Sequence, residues 1–289
     1  MKKFIAILAI LVALCLAAAG CAAPAAEEAA APAGEEPPVE EAAPAEEAAE
    51  QVELIVFAAA SLQETLTQIG ELYQAVAPNV TLIFSFDSSG TLKTQIQEGA
   101  DCDLFISAAQ KQMNQLDAAA DPEVNTEGLD FVEQGTRVDL LENKVALVVP
   151  EGNPANINSF ADIANCERIA LGNDDVPVGQ YSIEILTNLG LLEGLESGSK
   201  ITYGSNVKEV TTQVSEGAVD CGIVYATDAF SAGLTIVDQA QEDMCSQVIY
   251  PAAVLNISQH LEEAKAFLAY LQGEEATAVF ESVGFAPVG

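Results

Sequence analysis

From Val52 onward the chain repeats one unit, in which a short aliphatic run is followed by a loop of small residues and then by a stretch with helical periodicity. Short apolar runs between turn signals are typical of buried strands, and their alternation with helices predicts an α/β fold with largely parallel sheets. The predicted strands cover residues 53–58, 80–86, 103–108, 144–150, 168–172, 201–204, 221–226, 234–238 and 248–255. The predicted helices cover residues 62–75, 91–98, 181–189, 208–216 and 261–271.

These units form two groups, at about residues 53–140 and 144–240, and the chain then returns through the strand VIYPAAVL to a helical end. A chain that leaves one lobe and later comes back predicts two lobes joined by at least two crossing strands. A cleft between such lobes is a natural ligand site. We therefore expect a binding domain of residues 53–289, with lobe I at about 53–140 and 250–289 and lobe II at about 144–245.

The N-terminus, MKKFIAILAILVALCLAAAGC, predicts an export signal at residues 1–20, because two lysines precede an apolar run that is too short to span a membrane. The motif AAAGC resembles the lipobox of bacterial lipoproteins, although Ala18 stands where Leu is usual. This resemblance implies that Cys21 is lipidated; an ordinary cleaved signal with an incidental cysteine is the alternative.

Residues 21–52 consist mainly of Ala, Glu and Pro, which predicts a disordered linker. A lipid anchor on such a linker would hold the folded domain at the cell membrane, on its extracytoplasmic face.

Acidic residues dominate the charge: 44 Asp and Glu stand against 10 Lys and Arg, for a formal net charge of -34. A polyanion is repelled by such a surface, so nucleic acid is excluded as a partner.

Four cysteines, Cys102, Cys166, Cys221 and Cys245, lie in the predicted folded part. An exported protein can oxidise such thiols, and no CxxC or Cys/His metal spacing competes for them. Cys166 and Cys221 each precede a predicted strand of the same lobe, which favours a disulfide between them. Four buried free thiols fit the sequence equally well.

Five turns between a strand and a helix are candidate ligand loops, since ligands of parallel sheets bind beyond the carboxyl ends of the strands. They read FAAASLQ, FSFDSSGTLKTQI, LGNDDVPVGQYSIEIL, YGSNVKEVTTQV and GIVYATDAF. The free N–H groups at a helix start make a modest anion site without a basic side chain. In the first turn Ser61 is expected to cap its helix. Each turn alone also fits an ordinary cap or turn.

The segments VFAAASL, FDSSGTLKTQIQEGADCDLFISA, VPVGQY, NVKEV and GIVYATDA together resemble the molybdate-binding proteins of bacterial ABC importers, over about residues 53–285. The resemblance implies a type II periplasmic-binding-protein fold, with two α/β lobes and a ligand cleft between them. It also implies capture of molybdate or tungstate as a desolvated oxyanion, through neutral hydrogen bonds and without a cofactor. The partners would be the permease and ATPase subunits of an ABC transporter, and a monomer is expected.

Carried over residue by residue, the resemblance assigns five ligand contacts. Ser61 and Ser89 would contribute hydroxyl and backbone N–H groups from lobe I. Lobe II would contribute the N–H groups of Val178 and Val207 and the hydroxyl of Tyr225. All five would contact the oxygens of molybdate, so none is a direct metal ligand.

Three features depart from the family pattern. Asp87 stands where a small neutral residue is common, Gly90 replaces a frequent Ser, and Asp174 and Asp175 follow Gly172. Carboxylates near the cleft would weaken anion capture unless they point to solvent.

Other functions remain open at this level. Sulfate, phosphate or an organic anion would suit the same fold, as would an adhesion or sensor lipoprotein. A serine hydrolase needs a base beside Ser61 or Ser89, and the single histidine, His260, lies in a predicted surface helix. The chain also has no HExxH, Walker or GxGxxG motif, so a binding protein is expected rather than an enzyme.

Overall fold

The computed structural model describes residues 50–288. The predicted signal peptide, Cys21 and nearly all of the predicted linker lie outside the described residues. None of the helices in residues 50–288 has the length and apolar character needed to cross a bilayer.

The described residues form an α/β structure with two separate sheets. Its strands are β1 Val52–Ala59, β2 Val80–Asp87, β3 Leu104–Ile106, β4 Val138–Asn143, β5 Val145–Val149, β6 Ile169–Gly172, β7 Ile201–Gly204, β8 Cys221–Tyr225, β9 Thr235–Gln239, β10 Val248–Val254 and β11 Ala286–Pro287. Its α-helices are α1 Gln63–Val76, α2 Ser89–Gln97, α3 Gln110–Asn114, α4 Pro177–Asn188, α5 Leu192–Ser197, α6 Val207–Ser215, α7 Ala226–Ser231, α8 Leu261–Leu271 and α9 Glu274–Ser282.

Each sheet is the centre of one lobe. The first sheet has the order β11-β4-β10-β3-β1-β2, and the second has the order β7-β6-β8-β5-β9. The chain passes from the first sheet to the second between Asn143 and Val145, and it returns between Gln239 and Val248. The α/β fold with two lobes is therefore as predicted.

All the predicted strands are present, but the expectation of largely parallel sheets is wrong. Parallel pairing is confined to β2-β1-β3 and β7-β6-β8, and the remaining pairs are antiparallel. The antiparallel pairs involve β4, β5, β9 and β10, next to the two crossings. Strand β4 was not predicted, because its sequence VDLLEN contains several polar residues and does not read as an aliphatic run.

Helix capping explains why two predicted helices begin earlier in the structure. Helix α2 begins at Ser89 because the Ser88 side chain accepts a hydrogen bond from the N–H of Thr91. Helix α4 begins at Pro177, whose fixed φ suits the first turn and whose missing N–H costs nothing there.

The strand registers bring the predicted ligand turns together in pairs. Ala59 of β1 pairs with Asp87 of β2, so the turns that follow these strands are neighbours. Gly172 of β6 likewise pairs with Gly204 of β7, and β8 lies on the other side of β6. Each lobe therefore presents a row of helix starts at the carboxyl edge of its parallel strands.

Candidate functional site

A small cavity lies where the turns of the two lobes meet. Residues from both lobes line it: Ala59, Ala60, Ser61, Asp87, Ser88, Ser89, Ala108, Val176, Pro177, Val207 and Tyr225. Its volume is about 10 Å³, roughly the space of one water molecule. Sites for drug-sized ligands have roughly 300–1,000 Å³, so this cavity is far too small for an organic molecule.

Four of the five residues assigned by the resemblance line this cavity: Ser61, Ser89, Val207 and Tyr225. Val178 does not line it but follows Pro177, which does. Val178 is fully buried in the first turn of α4, where a backbone N–H has no acceptor within the helix. A larger cavity of about 610 Å³ lies beside the crossing strands, and none of the five residues lines it.

Ser61 does not cap a helix, which corrects the expectation from its sequence position. It lies in a 3-10 turn between β1 and α1, and no side chain caps either element. Its Oγ instead lies 2.9 Å from the hydroxyl of Tyr250 in β10. The side chain of Ser61 is thus held by a strand that returns from the second lobe.

A chain of hydrogen bonds lies behind Ser61. The Asn143 side-chain N–H donates to Tyr250 Oη over 3.2 Å and to Thr227 Oγ1 over 2.8 Å. Either hydroxyl can donate in the Ser61–Tyr250 hydrogen bond. When Tyr250, which already accepts from Asn143, is the donor, the hydroxyl proton of Ser61 is free to point into the cavity. Sequence reasoning missed Tyr250 and Asn143; the only signal was a tyrosine hydroxyl in an apolar strand, which needs a partner when buried.

The hydroxyl group of Ser89 is also available to donate to a ligand. It is fully buried, and its Oγ accepts a hydrogen bond of 2.9 Å from the N–H of Ala108. With that acceptor position filled by a backbone donor, the Ser89 proton is available to a ligand. Ala108 was also missed from the sequence, because it is an apolar residue that acts through its backbone.

In the second lobe the donors are helix starts and a phenol. Val207 is the first residue of α6, whose preceding residue Asn206 caps the helix by accepting from the Glu209 N–H over 3.1 Å. Tyr225 ends β8, and its hydroxyl lies 3.4 Å from the Ala108 carbonyl oxygen of the first lobe. Burial raises the pKa of the Tyr225 phenol well above its ordinary value, so it keeps its proton and remains a donor.

Of the three nearby carboxylates, only that of Asp87 lies at the cavity wall. Its Oδ1 accepts from the Ser88 N–H over 2.7 Å and from the Asn206 side chain over 3.4 Å. Asp174 and Asp175 are exposed and do not line the cavity. The structure therefore turns Asp174 and Asp175 to solvent.

The lobes touch directly beside the cavity. The Gly90 N–H donates to the Asp175 carbonyl oxygen over 3.0 Å, which joins the start of α2 to the loop before α4. A Cβ at Gly90 would lie 2.4 Å from that oxygen, so glycine is required for this approach. Close contact between the two lobes thus explains why this chain has glycine at position 90, where the resembled family frequently has serine.

Two other sequence expectations concern groups away from the cavity. Cys166 and Cys221 are neighbouring free thiols, and a hydrogen bond between them lowers the pKa of Cys166 and raises that of Cys221.

The single histidine, which a serine hydrolase would need beside Ser61 or Ser89, is the residue that precedes α8. The hydroxyl of Ser61 is paired with a phenol rather than an imidazole.

Two α/β lobes that enclose a small site between helix starts define a solute-binding protein. In agreement, the sequence model of the family described as bacterial extracellular solute-binding protein matches residues 54–286. The chain belongs to this family and has the type II periplasmic-binding-protein fold. Family membership confirms the expectation of a binding protein rather than an enzyme.

Three similar proteins cover nearly the whole described part. A Bacillus subtilis protein named "Putative ABC transporter substrate-binding lipoprotein YvgL" is 38% identical over 238 residues, which is 82% of this chain and 87% of the relative. The molybdate-binding protein ModA of Escherichia coli is 33% identical, over 82% of this chain and 90% of ModA. A solved structure titled "substrate binding domain of putative molybdenum ABC transporter from Clostridium difficile" has a TM-score of 0.61 and 34% identity, and covers 83% of this chain and 100% of its own.

Proposed function

We propose that this protein captures molybdate or tungstate outside the cytoplasm and delivers it to the permease and ATPase subunits of an ABC transporter. The observation that carries the proposal is the convergence of Ser61, Ser89, Val207 and Tyr225 from two lobes on one small cavity. No lysine or arginine among residues 50–288 lines this cavity. The relatives named for molybdate support the choice of ion.

The proposed hydrogen bonds supply enough free energy for micromolar to nanomolar binding. A hydrogen bond to a charged group contributes roughly 1.5–3 kcal/mol, so five such donor residues supply about 8–15 kcal/mol before the costs of binding. Micromolar to nanomolar binding needs about 8–12 kcal/mol. The net charge of -34 opposes this only weakly, because exposed charges beyond about 8 Å are screened at physiological salt.

The size and protonation state of the ligand bear on selectivity. Molybdate, tungstate and sulfate present only acceptor oxygens, which match a wall of N–H and O–H donors. Phosphate near neutral pH carries a proton that needs an acceptor, and Asp87 at the cavity wall retains one, because Oδ1 accepts from Ser88 and Asn206 whereas Oδ2 accepts from no residue in 50–288. Sulfate and hydrogen phosphate are therefore both rivals, and size separates them from molybdate.

The proposal extends to the cell surface. We infer a signal peptide at residues 1–20, a lipid on Cys21 and a flexible linker at residues 21–52, which would tether a monomeric binding domain of residues 53–289 to the membrane. The name of the Bacillus subtilis relative, which includes the word lipoprotein, supports this arrangement. Metabolic labelling with a radioactive fatty acid tests it: Cys21→Ser is expected to abolish the label, and a labelled variant would contradict the anchor.

Thermal unfolding in the presence of four different oxyanions tests which ion the protein binds. Ligand at 1,000 times its Kd stabilises the folded state by about 4 kcal/mol, which raises the unfolding midpoint by several degrees. We expect molybdate and tungstate at 1 mM to raise the midpoint most, and sulfate and phosphate to raise it less. A midpoint raised by sulfate or phosphate alone would assign the site to that oxyanion instead.

A further inference from the structure

One lysine connects the three helices that begin beside the proposed donors. Lys208 Nζ lies 2.7 Å and 2.9 Å from the two carboxylate oxygens of Glu64, and 3.0 Å from Asp228 Oδ1. Glu64 is in α1, Lys208 in α6 and Asp228 in α7. The Lys208–Glu64 ion pair crosses between the lobes, whereas Lys208–Asp228 lies within the second lobe.

Each of these residues is close in sequence to a proposed ligand contact. Glu64 is in the first turn of the helix that follows Ser61, and Lys208 directly follows Val207. Asp228 is in the first turn of the helix that follows Tyr225. Lys208 itself does not line the cavity. It therefore makes no direct contact with a ligand held there.

The Lys208–Asp228 pair balances a buried negative charge. The Asp228 side chain is 0% exposed, and Lys208 Nζ, 3.0 Å from Oδ1, is the one polar side-chain partner of this carboxylate among residues 50–288. Burial raises the pKa of Asp228 to about 6, against the opposing effect of Lys208. Lys208 is thus the main compensation for a buried carboxylate, which fixes the ammonium close to Asp228.

The interlobe pair is more exposed and can break without leaving a buried charge. The Glu64 side chain is 49% exposed and that of Lys208 is 25% exposed. If the lobes separated, Glu64 would regain water while Lys208 would keep Asp228 as its partner. Glu64 is thus the partner of Lys208 that can be exchanged for water.

We propose that Lys208 is a positioning residue, which Asp228 anchors in the second lobe and which clasps Glu64 of the first lobe when the cleft closes. The clasp holds the starts of α1, α6 and α7 together around the oxyanion and slows its release. This inference rests on the proposed function, since it needs a captured oxyanion. It assigns to Lys208 a role in the lifetime of the complex rather than in contact with the ion.

Stopped-flow release of molybdate from the full folded domain tests the clasp, with tungstate as the displacing ion and intrinsic tyrosine fluorescence as the signal. We expect Glu64→Gln to raise koff about two- to fivefold, as for a half-exposed ion pair, with kon little changed. Lys208→Met, combined with Asp228→Asn to avoid a lone buried charge, should raise koff to the same extent. In that double variant, adding Glu64→Gln should change nothing further. Lys208→Arg should restore slow release.

The matched control is Lys265→Met, which removes a lysine that lies near Glu133 and Glu262, away from the cavity. It should leave koff unchanged. Parental koff in Glu64→Gln, or independent effects of Glu64→Gln and Lys208→Met, would overturn the clasp. If the parent itself fails to bind molybdate, the proposed function fails first, so the two failures are distinguishable.

Discussion

Replacement of Tyr225 by phenylalanine removes one oxygen atom from the wall of the cavity. The side chain is 1% exposed and its ring packs edge-on against Tyr250 at 5.7 Å between centroids, so the phenylalanine ring should keep the same place. The free protein loses the long contact of 3.4 Å to the Ala108 carbonyl and the interaction of the Tyr225 hydroxyl with that of Tyr250. We therefore expect the stability of the free protein to fall by about 1 kcal/mol.

The bound protein loses more, because the hydroxyl is proposed to donate to a charged oxygen in a dry site. Such a bond contributes roughly 1.5–3 kcal/mol, so Kd for molybdate should rise about 10- to 150-fold. Isothermal titration measures this Kd, and thermal unfolding without ligand checks that the fold is intact. A Kd within about twofold of the parental value in a stably folded variant would refute the role of Tyr225.

Two further tyrosines serve as comparisons. Tyr181 packs edge-on against Tyr225 but does not line the cavity, so Tyr181→Phe should leave Kd unchanged. Tyr250 also lies outside the cavity wall, but its hydroxyl orients that of Ser61. Tyr250→Phe should raise Kd by less than Tyr225→Phe does. An unchanged Kd in Tyr250→Phe would mean that ligand binding does not depend on the hydrogen bond between Tyr250 and Ser61.

Three other predictions concern closure, pH and oxidation. Gly90→Ala places a methyl group against the Asp175 carbonyl oxygen, which pushes the two lobes apart at this point. Titration should then show a Kd for molybdate raised roughly 5- to 150-fold, and an unchanged Kd would contradict tight contact of the lobes at Gly90. The raised pKa of Asp228, about 6 against an ordinary 3.8, means that the folded state binds the extra proton, so parental stability should fall relative to Asp228→Asn as the pH rises from 4 to 7. The difference in urea unfolding free energy should change by about 2 kcal/mol over that range, and parallel stability curves would contradict the shift. Oxidised glutathione should join Cys166 to Cys221 with release of two equivalents of reduced glutathione and stabilise the protein by up to about 4 kcal/mol; peptide mapping that shows another pairing would refute this.

Much of the cavity wall could be predicted from the sequence because its parts are local. Ser61, Ser89, Val207 and Tyr225 each stand at the end of a strand or the start of a helix, where alternation of apolar runs and small residues marks the turn. Parallel pairing of the strands then brings those turns to one edge. The resemblance to molybdate-binding proteins supplied the choice among the many polar residues in these turns.

The remaining features depend on contacts between distant segments. Tyr250 and Asn143 lie in the two crossing strands, and their hydrogen bonds to the site span more than a hundred residues of sequence. The clasp of Lys208 likewise joins Glu64 in another lobe. No local pattern encodes such pairs. The expected cap role of Ser61 failed for the same reason, because a partner from β10 holds its hydroxyl.

The most direct test of the account is isothermal titration of molybdate into the domain, after bound ions have been removed by unfolding, dialysis and refolding. The account predicts one ion per protein, a Kd of micromolar or tighter, competition by tungstate, and weaker binding when Ser61 or Ser89 is changed to alanine. No saturable heat with either molybdate or tungstate at millimolar concentration would contradict it.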